Sequence, residues 1–158
     1  MNRRLPSILL MVCLTLPSAA AAVAAPVADQ AQPVLWRTYD QAVAEAASSG
    51  KPVMIHFTAA WCRWCVKMKK ETYTDPEVSR LMGDGFVTAM VDTDKQPDIG
   101  ARFGVESLPT VWFLTAQGQP ITYAPGFMDA PTLRTVLRWV GSGAYATTSF
   151  EDFAAGGK

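Results

Sequence analysis

Apolar side chains recur along this chain in two rhythms. Residues 52–58 and 110–115 are short, nearly unbroken apolar runs rich in β-branched and aromatic side chains, the pattern of buried strands. Residues 86–92 predict a third strand. After a turn at 116–119, residues 121–124 predict a fourth that pairs with 110–115. Between these runs the spacing becomes helical. Ala42, Val43, Ala46 and Ala47 share one face of a helix over 40–47, with Asp40 as its cap and Gly50 ending it. Cys65, Met68 and Lys69 continue a helix to residue 70, with no Gly or Pro to interrupt it. Thr74-Asp75-Pro76-Glu77 opens another, with Val78, Leu81 and Met82 inward and a turn at Gly83-Asp84-Gly85. A short helix over 98–103 stops at Gly104. Asp129 caps the last amphipathic helix, with Leu133, Val136, Leu137 and Val140 inward and Arg134 and Arg138 on the outer side.

Residues 36–39 read as a short edge strand that precedes these elements. The element order, a parallel βαβ portion followed by a hairpin, predicts an α/β domain. A central mixed β-sheet would be flanked by helices on both faces. The predicted division is a signal peptide over 1–24, a flexible lead-in over 25–35, the domain over 36–141 and a tail over 142–158. The tail is Gly- and Ser-rich, and Phe150-Glu151-Asp152-Phe153 is expected to form a turn of helix that packs back.

The amino terminus changes the picture most. Arg3 and Arg4, an apolar run over 8–16, Pro17 and an alanine-rich stretch have the layout of a secretory signal, with Ala22-Val23-Ala24 as the small-x-small cleavage pattern. An uncleaved anchor is the competing reading of residues 5–25, and Pro17 and the alanines weigh against it. The expected location is therefore the periplasm. The full chain balances 14 basic against 14 acidic residues; without Arg3 and Arg4 the count is 12 against 14. A side-chain charge of about −2 with no basic stripe gives no footprint for nucleic acid. Removing the leader also removes Cys13 and leaves Cys62 and Cys65 alone.

Those two cysteines carry the candidate chemistry. Cys62-Arg63-Trp64-Cys65 lies where the strand 52–58 gives way to a helix. A cysteine in the first turn of a helix faces unpaired N–H groups and the positive end of the helix dipole, which favour thiolate. Arg63 adds a neighbouring cation, and Cys65 returns to the same face and is placed to close a disulfide with Cys62. A bridge across so short a loop constrains little chain entropy, so a redox role explains the pair better than a structural one.

Phe57-Thr58-Ala59-Ala60-Trp61-Cys62-Arg63-Trp64-Cys65, followed by Ser107-Leu108-Pro109-Thr110, resembles thioredoxin. The resemblance covers about residues 36–140. Asp75-Pro76-Glu77-Val78 and Gly126-Phe127-Met128-Asp129-Ala130 are similar to the C-terminal thioredoxin-like domain of the bacterial transmembrane disulfide reductase, and to small exported thioredoxins. The resemblance implies a thioredoxin fold, with Cys62 as attacking thiolate and Cys65 as resolving thiol. It implies that Pro109 is a cis-proline beside the disulfide and that Leu108 offers its backbone to substrate. Trp61, Arg63 and Trp64 would line the substrate side. His56 stands six residues before Cys62, where this family usually has a buried acid, and Met90 stands where many members have a lysine. His56 is either a proton carrier with an ordinary pKa of about 6.5 or a core histidine bonded to backbone. Trp64 is either a docking surface or an exposed aromatic. Lys67, Lys69 and Lys70 either steer an acidic partner or form a solvated helix face, the second being favoured.

The expected activity is a thiol–disulfide oxidoreductase that reduces disulfide-containing exported proteins, fed by a membrane dithiol donor. It is expected to be a monomer, with no cofactor and no resident metal. The alternatives are a disulfide oxidase or isomerase, a Cu(I)-binding thiol module using the same two sulfurs, and an adaptor using the fold alone.

Overall fold

The computed structural model describes residues 33–156; the expected signal peptide, most of the lead-in and the last two residues lie outside them. The element order is α1 (Tyr39–Ser49), β1 (Val53–Thr58), α2 (Arg63–Lys67), a π turn (Met68–Thr72), α3 (Pro76–Gly85), β2 (Val87–Asp92), α4 (Pro97–Arg102), β3 (Thr110–Leu114), β4 (Pro120–Pro125), α5 (Ala130–Gly141), a 3-10 turn (Ala144–Ala146) and α6 (Phe150–Gly156). The strands form one sheet in the order β2-β1-β3-β4. β1 runs parallel to β2 and antiparallel to β3, and β3 pairs antiparallel with β4. This is the mixed sheet that the apolar runs predict, and its topology is the thioredoxin fold.

β1 is central, and all six of its residues are buried. That is why its sequence shows no polar alternation. Val53, Ile55 and Phe57 pack with Ala42, Ala46, Val87, Ala89 and Val91 on the face covered by α1 and α4. Met54 joins Met68, Tyr73, Met82, Leu133 and Leu137 on the other face, under α3 and α5. His56 and Thr58 lie on that second face by strand alternation.

Local chemistry moved several boundaries. Helix α1 starts earlier than Asp40 because Thr38 is its N-cap: its hydroxyl accepts from the Gln41 N–H, and the Gln41 side chain accepts from the Thr38 N–H. With the helix starting there, residues 36–39 form no strand. Arg37 instead makes a single parallel bridge to Ala89 on the outer edge of β2. Helix α3 runs through Gly83-Asp84-Gly85, where a turn was expected, and the Phe86 N–H closes it on the Met82 carbonyl at 3.1 Å. Arg134 and Arg138 are not simply solvent-facing. Both reach Glu77 of α3, Arg134 at 2.9 Å, and so tie α5 to α3. Beyond Gly141, Trp139 Nε1 donates to the Thr148 carbonyl at 2.9 Å and stacks edgewise on Phe150, so α6 packs back on the core side of α5.

Candidate active site

The site is built at the end of β1. Cys62 is the N-cap of α2, with its Sγ accepting from the Cys65 N–H at 3.1 Å, and the two sulfurs are joined as a disulfide. The α2 helix continues through the π turn, so the cysteine stands at the start of about ten helical residues. Oriented N–H groups at that end favour a sulfur anion. Cys62 retains 4% accessibility and Cys65 none, so entry is through Cys62, by a narrower opening than an exposed thiol. Leu108 packs against both cysteines and Ala59. The Leu108–Pro109 peptide is cis. Arg63 is exposed as the first residue of α2.

Two tryptophans rise from this surface. Trp61 is 68% exposed, and its indole donates to Asp94 Oδ2 at 3.0 Å. Trp64, 56% exposed, lies against Phe127 with ring centroids 5.6 Å apart. Lys67 Nζ sits 5.2 Å from the Trp64 ring and 5.1 Å from the Phe127 ring. Lys67 is therefore not part of a freely solvated face. Lys69 is also engaged, lining the space beside Trp36, Tyr73 and Met90.

His56 is fully buried, and its Nδ1 shares a hydrogen bond with the Tyr73 hydroxyl at 2.9 Å. Its partner is thus a side chain and not backbone. Among the described residues Nε2 has no hydrogen-bond partner. Trp36 covers the pair, its ring 5.1 Å from Tyr73 and 6.0 Å from His56. Burial, and then the positive charge of Lys69, lower the imidazole pKa to about 3. Burial also raises the Tyr73 phenol well above its ordinary value. Burial therefore favours the neutral imidazole at His56. Met90 is its cross-strand neighbour on β2.

The structure brings Cys62, Cys65 and Leu108 into one cluster, with Pro109 next in the chain. Trp61, Arg63 and Trp64 border that cluster through the cysteine turn, while His56 sits in the core with Tyr73. Asp94 and Tyr73 were missed as site residues, and Lys67, weighed as a steering residue, was read as part of a solvated face. The Tyr73 placement depends on the π turn, closed by the Tyr73 N–H on the Met68 carbonyl at 3.1 Å, and no residue pattern announces it. Phe127 had a signal, the Gly126-Phe127-Met128 stretch, without a reason to place it on Trp64. Among the described residues, no group of three or more His, Cys, Asp or Glu side chains stands together as a metal site.

The arrangement is a dithiol–disulfide couple in which the helix-capping Cys62 keeps a little accessibility and Cys65 is fully buried. The sequence profile of the family Thioredox_DsbH, described as a protein of unknown function, DUF255, matches residues 25–143. The chain is 41% identical over 103 residues to the thiol:disulfide interchange protein DsbD of Salmonella typhi, covering 62% of this chain and 18% of that protein. It is 38% identical over 104 residues to the protein of the same name from Escherichia coli, covering 63% and 18%. The chain thus spans less than a fifth of the length of these curated relatives. Among solved structures it is similar to a thioredoxin from Thermus thermophilus, with a TM-score of 0.64, 29% identity, and coverage of 69% of this chain and 88% of that one. A structure described as DsbH oxidoreductase shares the fold at a TM-score of 0.62 and 22% identity, covering 79% and 92%. The chain belongs to the thioredoxin-like Thioredox_DsbH family, with a thiol–disulfide oxidoreductase centre at Cys62 and Cys65.

Proposed function

We propose that the chain is an exported, periplasmic reductant of disulfides in other exported proteins. The observation that carries the reading is Cys62 as helix cap, with its sulfur on the Cys65 N–H and a residue accessibility of 4% where Cys65 has none. In the reduced protein the Cys62 thiolate attacks one sulfur of a substrate disulfide, and the other substrate sulfur leaves as a thiolate that takes up a proton. Cys65 then loses its proton and attacks Cys62 Sγ, which releases the second substrate thiol. Two electrons have passed to the substrate, and the chain is left with the Cys62–Cys65 disulfide. A membrane dithiol donor would return it to the dithiol.

Leu108 packs on the cysteine cluster, and Leu108 and Pro109 would offer backbone to the substrate strand, with Trp61, Arg63 and Trp64 along its flanks. His56 contributes as a neutral group hydrogen-bonded to Tyr73, on the face of β1 that packs under the π turn. The test is trapping. Cys65→Ser should accumulate mixed disulfides with partner proteins, whereas Cys62→Ser should accumulate few. Equal trapping by the two variants, or more by Cys62→Ser, overturns the assignment.

A further inference from the structure

Trp64, Lys67 and Phe127 form a wall beside the cysteines that the exchange reaction itself does not require. Trp64 and Lys67 are three residues apart on α2 and so share a face. An exposed indole normally samples several rotamers, but this one is held by Phe127 on one side and by the Lys67 ammonium. Phe127 is fixed in turn from both ends of its segment. The Gly126 N–H donates to the Pro109 carbonyl at 2.7 Å, and the Thr72 hydroxyl donates to the Met128 carbonyl at 2.7 Å. Gly126 has φ +93, which a side chain at that position would strain. The wall therefore connects the Pro109 loop to the π turn as one preorganised surface.

Its charge has a direction. The Lys67 ammonium lies over both rings, and its ion-pair partner, Glu71, is 3.8 Å away with a side chain 61% exposed. Such a surface pair is weak and yields to a better-placed anion. On the opposite flank, Trp61 carries Asp94 on its indole N–H. Asp94 follows β2 and Phe127 follows β4, and those strands are the two outer strands of the sheet, with the cysteines at the end of β1 between them. The rim around the cysteine turn is thus aromatic on both sides, cationic toward Phe127 and anionic toward Asp94.

We propose that the Trp64–Lys67–Phe127 wall selects polypeptide disulfides that carry an acidic side chain near the attacked cysteine, on the side that faces Phe127. The inference rests on the oxidoreductase reading and names the substrate chemistry that the centre prefers. Substrate aliphatic or aromatic surface covers the two rings, and the carboxylate takes the place of Glu71 on the ammonium.

The experiment measures single-turnover reduction of short peptide disulfides by pre-reduced protein. The peptides carry Asp, Asn or Lys two residues before, or two residues after, the reactive cysteine. For one of the two placements the wild type should reduce the Asp peptide about threefold faster than the Asn peptide and about tenfold faster than the Lys peptide, the scale of a single exposed charge pair, attractive or repulsive. The preference should collapse toward one in Lys67→Gln, invert in Lys67→Glu, and fall at about 1 M salt, where the Debye length is about 3 Å. Phe127→Ala should slow all the peptides by releasing Trp64. Equal rates for Asp and Lys peptides, or a preference that survives Lys67→Gln, overturn the proposal while leaving the oxidoreductase reading standing. Failure to reduce any of the peptides refutes the reading on which it rests.

Discussion

Replacing His56 tests the buried pair beneath the active-site helix. Folded His56 has a pKa of about 3, lowered first by burial and then by Lys69, whereas an unfolded imidazole titrates near 6.5. Between these values the unfolded chain binds a proton that the folded chain refuses, so stability falls as pH falls. The contribution is fully present above about pH 6.5 and is lost progressively down to about pH 3. The limiting slope is about 1.4 kcal/mol per pH unit, so the single group removes about 3 kcal/mol between pH 7 and pH 4.

His56→Asn retains a hydrogen-bonding side chain for the Tyr73 hydroxyl but does not titrate. Urea unfolding of the oxidised protein at pH 7, 6, 5 and 4 should show wild-type stability falling toward that of the variant by about 3 kcal/mol. Carboxylates such as Glu77 and Asp129, whose pKa values are lowered in the fold, titrate in both proteins and cancel in the comparison. Should His56→Asn leave too little folded protein, the double change His56→Phe with Tyr73→Phe keeps an aromatic core and gives the same comparison. If the wild type and the variant lose stability in parallel, within about 1 kcal/mol, His56 is not the neutral buried group described here.

Three further outcomes are expected. Glu77→Gln, which weakens the contacts of α3 with Arg134 and Arg138, should lower stability by about 0.5–1 kcal/mol at pH 7 in a urea titration, with little change in redox turnover. Hydrogen bonds from Arg134 and then Arg138 lower the Glu77 pKa, so this contribution is present at neutral pH and disappears as acid protonates the carboxylate; at low enough pH the two proteins should coincide. Deleting residues after Gly143 uncovers Trp139 and removes Phe150 and Phe153 from the core, and should cost roughly 2 kcal/mol and red-shift tryptophan emission.

The strands and the cysteine turn were legible because their signals are local. An apolar run such as Val53–Thr58 has few alternatives to a buried strand, and Asp75-Pro76 and Asp129 place helix starts where their carboxylates accept the expected N–H groups. Thr38-x-x-Gln41 was as local a signal, and Asp40 beside it masked it. What the sequence did not show depends on contacts between distant segments. Tyr73 reaches His56 across 17 positions and Trp61 reaches Asp94 across 33. Arg134 and Arg138 look like an outer face until α3 brings Glu77 alongside. Lys67 reads as a solvated lysine until the β4–α5 connection lays Phe127 against Trp64. The charge state of His56 was hidden for the same reason, since burial by Trp36, Tyr73 and the sheet sets it.

The direction of electron flow is the central claim, and the site makes it quantitative. Arg63, a cation at the start of α2, would favour the Cys62 thiolate, and stabilising the reduced form makes a dithiol more oxidising. The span from thioredoxin, at about −270 mV, to a strong periplasmic oxidant, at about −120 mV, corresponds to about 7 kcal/mol. One exposed arginine contributes about 1 kcal/mol at most. His56, being neutral, adds no cationic stabilisation. The decisive measurement is therefore the equilibrium reduction potential of the Cys62–Cys65 couple against glutathione. A value near about −250 mV is predicted for a reductant; one above about −150 mV would make the chain an oxidant and contradict the account.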